Sequence, residues 1–182
     1  PGGSGKSTVW RMLAKANHEL GRKTHVQILN PKAITTNELY GYVNPSTREW
    51  KDGVFSIIMR DFAEATLGQD SKADPRWIVL DGDIDANWIE SLNTVMDDNK
   101  VLTLASNERI PLTRPMRLVF EIGNLKYASP ATVSRAGILF LNDADIGYKV
   151  LITSWLKKFQ ALKPENLNVL QSLFETHLSP AI

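Results

Sequence analysis

Pro1-Gly2-Gly3-Ser4-Gly5-Lys6-Ser7-Thr8 opens the chain, and Val9, Met12, Leu13, Ala16 and Leu20 follow it at helical spacing. Gly5-Lys6-Ser7 is the core of the phosphate-binding pattern G-x-x-x-x-G-K-[ST], whose first glycine would precede Pro1. The residue types suit the chemistry. Glycines let successive backbone N–H groups point into one concavity that holds phosphate oxygens. The helix behind them adds the positive end of its dipole. Lys6 would neutralise the terminal phosphates and the Ser7 hydroxyl would ligate Mg²⁺, with Gly2, Gly3, Ser4, Gly5 and Thr8 completing the loop. A flexible glycine-rich tail is the bland alternative, and it leaves the helix directly behind unexplained. Such a turn needs a strand in front to place it, so the chain is expected to be a fragment that starts inside the motif.

The second half of a phosphate site of this kind is an apolar strand ending in an acid. Trp77-Ile78-Val79-Leu80-Asp81 supplies it, and its short, continuous, β-branched run reads as a buried parallel strand. Such a strand delivers Asp81 to the edge of the sheet, where it would hold Mg²⁺ through water. The alternative is a strand that ends in a capping Asp. The next residue, Gly82, has no side chain and cannot be a general base. Asp83, Asp85 and Glu90 are near but out of register, and Asp83 would point away if the strand continued. Tight nucleotide binding with slow or absent hydrolysis is expected, and rescue by Asp83 is the alternative.

Composition narrows the class. Of 182 residues, 43% are hydrophobic and 23% charged, which excludes wholesale disorder. Lys and Arg total 21 against 20 Asp and Glu, so the net charge of +1 does not suggest a nucleic-acid-coating protein. The absence of Cys excludes a disulfide scaffold, thiol catalysis and Cys-ligated zinc, and sits easily with a reducing compartment. No apolar run approaches the roughly 20 residues that span a bilayer, and no signal-peptide pattern is present.

Strands are expected at His25–Leu29, Trp77–Leu80, Leu118–Ile122 and Ile138–Leu141, with helices over Phe55–Leu67 and Ala86–Met96 and a short one from a Thr36 cap to Tyr40. Asn44-Pro45-Ser46 is turn chemistry, Gly68–Pro75 a polar loop, and Lys100–Leu104 with Arg109–Leu112 a hairpin. Alternation of strands with helices gives an α/β fold with a mostly parallel sheet. From Ile146 the pattern turns helical, with Trp155, Leu156 and Phe159 on one face and Pro164 as an interruption. Residues 1–145 therefore read as a nucleotide-binding α/β subdomain lacking its first strand, and 146–182 as the truncated start of a helical small subdomain. Trp10, Trp77, Trp88 and Trp155 are expected in the core and Trp50 at the surface. His18, His25 and His177 have no ligand spacing.

Several stretches resemble the dynein heavy chain family. They are Asn30-Pro31-Lys32-Ala33-Ile34, Glu49-Trp50-Lys51-Asp52-Gly53, Asp81-Gly82-Asp83-Ile84-Asp85, Trp88-Ile89-Glu90-Ser91-Leu92-Asn93, Met96-Asp97-Asp98-Asn99-Lys100 and Ala131-Thr132-Val133-Ser134-Arg135. The resemblance covers Pro1 to about Trp155 and is to the second of the six AAA+ modules of the motor ring. The wording of Leu102–Leu112 is most similar to axonemal outer-arm β-type chains.

The resemblance implies the large subdomain of an AAA+ P-loop NTPase that holds ATP and Mg²⁺ largely as a structural and regulatory ligand, within a minus-end-directed microtubule motor that drives ciliary beating. Ring ATPases of this kind carry a Glu directly after the strand Asp, and Gly82 departs from that. It also implies an arginine finger at Arg135 that reaches into the preceding module's nucleotide, a role suited to a planar, permanently charged guanidinium. A surface Arg at a helix end is the alternative. Asn124 is the candidate sensor of the γ-phosphate, against an ordinary turn Asn. The Val101–Leu112 hairpin resembles the family's ring-lumen or linker-contacting insert, against a plain surface hairpin. Implied partners are neighbouring AAA+ modules, microtubules, and dynein intermediate and light chains, with no nucleic acid and no membrane. The implied location is the cytoplasm and cytoskeleton, in the axoneme of a cilium or flagellum. A P-loop small-molecule kinase is a further alternative, but it needs a basic lid and no Arg follows Ile146.

Overall fold

The computed structural model describes residues 2–68, 73–159 and 164–178. In chain order its elements are α1 (Lys6–Glu19), β1 (His25–Leu29), α2 (Thr36–Tyr40), β2 (Gly41–Val43), β3 (Trp50–Asp52), α3 (Val54–Glu64), β4 (Arg76–Asp81), α4 (Ala86–Ile89), α5 (Asn93–Met96), β5 (Val101–Thr103), β6 (Arg109–Pro111), β7 (Met116–Glu121), α6 (Pro130–Arg135), α7 (Asp143–Leu156) and α8 (Pro164–His177). Two compact units are distinguished: Lys6–Phe140, and Leu141–Ile182 together with Pro1–Gly5. The middle of the expected Gly68–Pro75 loop, residues 69–72, lies outside the described residues.

The larger unit is built on a three-stranded parallel sheet in the order β1-β4-β7. Its register pairs His25 with Arg76 through Leu29 with Leu80 on one side. On the other it pairs Arg76 with Met116 through Asp81 with Glu121. The central strand is apolar from Trp77 to Leu80 because both faces are covered there. Ile78 and Leu80 enter the main core with Phe55, Met59, Leu39, Leu92, Val95, Leu102 and Met116. Val79, fully buried, alternates to the opposite face. Helix α3 turns Phe55, Met59, Phe62 and Ala63 inward and leaves Val54 and Ile57 exposed, which is the amphipathic stripe of a core-facing helix.

Local chemistry fixes the connections. Thr35, one residue earlier than expected, caps α2 in a capping box with Glu38. Gly53 has to be glycine because a Cβ there would lie 2.3 Å from the Leu39 carbonyl oxygen. That close approach brings the β2–β3 hairpin, which is antiparallel, against the start of α3. The Tyr40 hydroxyl donates to the Trp88 carbonyl at 2.5 Å, and burial pushes its pKa well above the usual phenol value. Arg60 of α3 then ties two hairpins together. It donates to both Glu108 carboxylate oxygens at 2.8 Å, in the β5–β6 turn, and to Asp52 Oδ1 of β3 at 2.9 Å.

Four expectations are corrected. Ala86–Met96 is not one helix but α4, a 3₁₀ turn at Glu90–Leu92, and α5, with the departure from α geometry at Leu92, whose φ and ψ are −88° and −7°. Ile138–Leu141 forms no strand: β7 pairs only with β4, and Leu139 and Phe140 are 92% and 75% exposed. Trp50 is half-buried against the core, drawn in by the hairpin and by its indole N–H bond to Asp52. Trp155 is 42% exposed rather than core. Within the smaller unit it meets Phe174 edge-on, with ring centroids 5.7 Å apart. In that unit Pro164 opens α8, the helix that follows the expected interruption, at the position where a missing N–H costs nothing. No helix among the described residues is long and apolar enough to cross a membrane.

Truncating the central strand is expected to be severe: Leu80→Ala should cost about 2–5 kcal/mol in urea denaturation. The Arg60 network should be weaker and pH-dependent. Hydrogen bonds from Arg60 hold Asp52 and Glu108 below the usual carboxylate range. Groups whose pKa is lowered by folding add stability above their unfolded pKa and lose it as pH falls through the folded one. Both carboxylates are about one-third exposed, so Arg60→Ala should cost about 1 kcal/mol at pH 7. The difference from the unsubstituted chain should fade below about pH 4.

Candidate functional site

Helix α1 begins directly at Lys6, so the backbone N–H groups of Lys6, Ser7 and Thr8 are first-turn donors with no intrahelical acceptor. In the loop before it, Gly3 and Gly5 adopt φ of 80° and 83°. That left-handed backbone is what glycine allows and a side chain strains. A Cβ at Gly2 or Gly3 would meet nothing within 4 Å, so conformation and not crowding demands glycine at Gly3. Ser4 is buried, Gly5, Lys6 and Ser7 are half-buried, and Gly2, Gly3 and Thr8 are exposed.

Strand β4 ends at Asp81, which is exposed and has no side-chain hydrogen bond among the described residues. The Gly82 N–H continues the ladder by one bond, donating to the Glu121 carbonyl at 3.2 Å. Position 82 is tight. A Cβ there would lie 3.0 Å from Asn30 Oδ1, which accepts the Lys32 N–H, and 3.4 Å from Pro31 Cδ. The strand does not continue to Asp83. Instead the Asp83 carboxylate accepts the Gly123 N–H at 3.1 Å and braces the loop after β7.

Sequence reasoning missed Glu121. The Ser7 hydroxyl donates to Glu121 Oε1, and the Trp10 indole N–H donates to Oε2 at 3.0 Å. Glu121 is also the register partner of Asp81 on the neighbouring parallel strand, which sets both side chains on one face of the sheet. The signal was present: Leu118-Val119-Phe120-Glu121 is a second apolar strand ending in an acid. Ser7, Asp81 and Glu121 are therefore brought together at one end of the sheet.

Asn124 and Arg135 are not joined to that group. Asn124 Oδ1 accepts the Lys126 N–H at 3.0 Å, an Asx turn. Arg135 ends α6, donates from Nε to Asp97 and from Nη1 to the Ala131 carbonyl at 2.9 Å, and is about one-third exposed. His25 lies 3.7 Å from Asp74.

A phosphate-bound cation fits these residues. The donors at the end of β4 and the start of α1 are all oxygens, and no group of three or more His, Cys, Asp or Glu that could cage a metal occurs among the described residues. Mg²⁺ suits such a place, since it uses one or two protein oxygens and takes the rest from water and phosphate.

Comparison with known proteins agrees with this geometry. The family described as "AAA domain (dynein-related subfamily)" matches residues 1–136. The chain is 58% identical over 176 residues to "Dynein axonemal heavy chain 17" of Mus musculus, covering 97% of this chain and 4% of that protein. It is 57% identical over 176 residues to "Dynein beta chain, ciliary" of Tripneustes gratilla, again covering 97% and 4%. It is 52% identical over 180 residues to "Dynein beta chain, flagellar outer arm" of Chlamydomonas reinhardtii, covering 99% and 4%. The chain thus spans about 4% of the length of the curated relatives it matches. With a parallel sheet, a glycine loop opening α1 and an acid closing β4, the chain belongs to the dynein-related subfamily of AAA domains.

Proposed function

We propose that this chain is the second AAA+ module of an axonemal dynein heavy chain, of the outer-arm β type, and holds Mg-ATP as a structural and regulatory ligand with little or no hydrolysis. The observation that carries the non-hydrolytic reading is position 82. Asp81 is exposed at the strand end, and the residue beside it is a glycine, which carries no base; a Cβ there would lie 3.0 Å from Asn30 Oδ1, so that a larger residue would have to shift Asn30 slightly. In this reading the backbone of Gly2, Gly3, Ser4, Gly5, Lys6, Ser7 and Thr8 cradles the phosphates. Lys6 neutralises them, Ser7 and Asp81 hold the cation, and Asn124 lies toward the terminal phosphate. The cation supplies charge neutralisation and orientation when bound. Everything else is done by the chain: the loop fixes the phosphates, and Gly82 puts no proton acceptor at the position directly after Asp81.

The alternative base, Asp83, is disfavoured because its carboxylate already accepts the Gly123 N–H. Arg135 is read as the arginine finger for the preceding module. Its bonds to Asp97 and Ala131 support this, since they fix the guanidinium while leaving it partly exposed. Residues 1–145 are read as the large subdomain and 146–182 as the start of the small one. The intact heavy chain would be a minus-end-directed microtubule motor working with its other AAA+ modules and with intermediate and light chains. The names of the relatives, ciliary, flagellar and axonemal, support placement in the cytoskeleton of cilia or flagella.

The test uses the heavy chain with the Lys of its other phosphate loops replaced, and a fluorescent ATP analogue. Lys6→Ala should weaken binding at least tenfold while the unsubstituted module binds, and equal affinity would sink the assignment. Arg135→Ala, made in the chain with all loops intact, should slow hydrolysis in the preceding module by about 10³-fold or more. It should leave nucleotide retention here unchanged. An unaltered steady-state rate would return Arg135 to an ordinary surface residue.

A further inference from the structure

We propose that Glu121 is the residue that positions the cation ligand Ser7, and through it sets the affinity of this module for Mg²⁺. The inference rests on the nucleotide-binding reading above and adds to it a role for a residue outside the phosphate-loop and strand-acid motifs. Four observations carry it. The Ser7 hydroxyl donates its proton to Glu121 Oε1. The other carboxylate oxygen accepts the Trp10 indole N–H at 3.0 Å, one turn further along α1. Glu121 is the register neighbour of Asp81, the second proposed ligand. Its backbone carbonyl accepts the Gly82 N–H at 3.2 Å, so the same residue also closes the strand end that presents Asp81.

The chemistry follows from the direction of the bond. A hydroxyl has one proton and two lone pairs, and it ligates a cation only through the lone pairs. With its proton committed to a carboxylate, Ser7 turns its lone pairs elsewhere and becomes a stronger donor, as ligands do when an acceptor holds their proton. Trp10 makes the acceptor rigid: with one oxygen pinned to the indole, the other has a single place to be. Two ends of one carboxylate thus clamp the first two turns of α1 to the end of β7. Glu121 acts through Ser7 and is a positioning residue, not a ligand.

The experiment measures Mg²⁺ dependence in the heavy chain with its other phosphate loops silenced. Binding of the fluorescent ATP analogue is titrated in EDTA and then at rising Mg²⁺. Glu121→Gln keeps the shape of the side chain but loses its charge and one acceptor. It should raise the Mg²⁺ concentration at half-effect by about tenfold or more, the usual loss when a ligand's orienting partner is removed. Affinity in EDTA should change less than twofold. Trp10→Phe should shift the Mg²⁺ midpoint in the same direction by less. In a Ser7→Ala background Glu121→Gln should add almost nothing, because the residue it serves is gone. An unmoved midpoint in Glu121→Gln overturns the inference, as do full additivity with Ser7→Ala and an equal fall in EDTA affinity, which marks a merely structural residue. In those cases nucleotide binding by the unsubstituted module still stands. If the unsubstituted module shows no Mg²⁺-dependent binding at all, the nucleotide reading fails and this inference falls with it.

Discussion

A strand buried on both faces can present a charge only where it leaves the sheet, and β4 leaves at Asp81. Ile78, Val79 and Leu80 are covered by the core and the opposite layer, so the chain between Arg76 and Leu80 has no freedom to turn a polar group outward. Parallel pairing with β1 and β7 then fixes the height at which the strand ends. Because register carries Asp81 to Glu121, the same hydrogen-bond ladder that builds the core also assembles two carboxylates at one sheet end. Glu121 draws in the first turns of α1 through Ser7 and Trp10. Core and site are therefore one construction.

The rest of the larger unit supports that end of the sheet from a distance. Arg60 fastens the β5–β6 turn and the β2–β3 hairpin to α3, and α3 packs its apolar stripe on the core that holds β4. Gly53 permits the close backbone approach on which this arrangement depends. The connections are mostly exposed charge pairs and one tight turn, which add modest stability and mainly hold short hairpins in one place.

Much of this was legible from residue pattern. The continuous apolar run at Trp77–Leu80 can be read as a buried parallel strand because its short length and β-branched content suit a strand covered on both faces. Gly5-Lys6-Ser7 before a helical period marks the start of α1. What pattern cannot give is pairing. Ile138–Leu141 is apolar enough to be a strand, yet it pairs with none of the described strands, although β7 is paired on one side only. The β2 and β3 strands were too short to show a period, and Trp50 was turned inward by that hairpin. Glu121 carried a readable signal, an acid after an apolar run, but its meaning came only from register with Asp81 and from Ser7 reaching it across 114 positions of sequence.

At position 82 the absence of a side chain separates holding a nucleotide from cleaving it. The most direct measurement loads labelled ATP into the module within its heavy chain, with the other phosphate loops silenced, removes the excess and analyses the retained nucleotide over time. The account predicts that it stays ATP through many motor cycles. Conversion to ADP at the rate of the motor cycle would contradict it and would mean that Asp83 or a neighbour serves as the base.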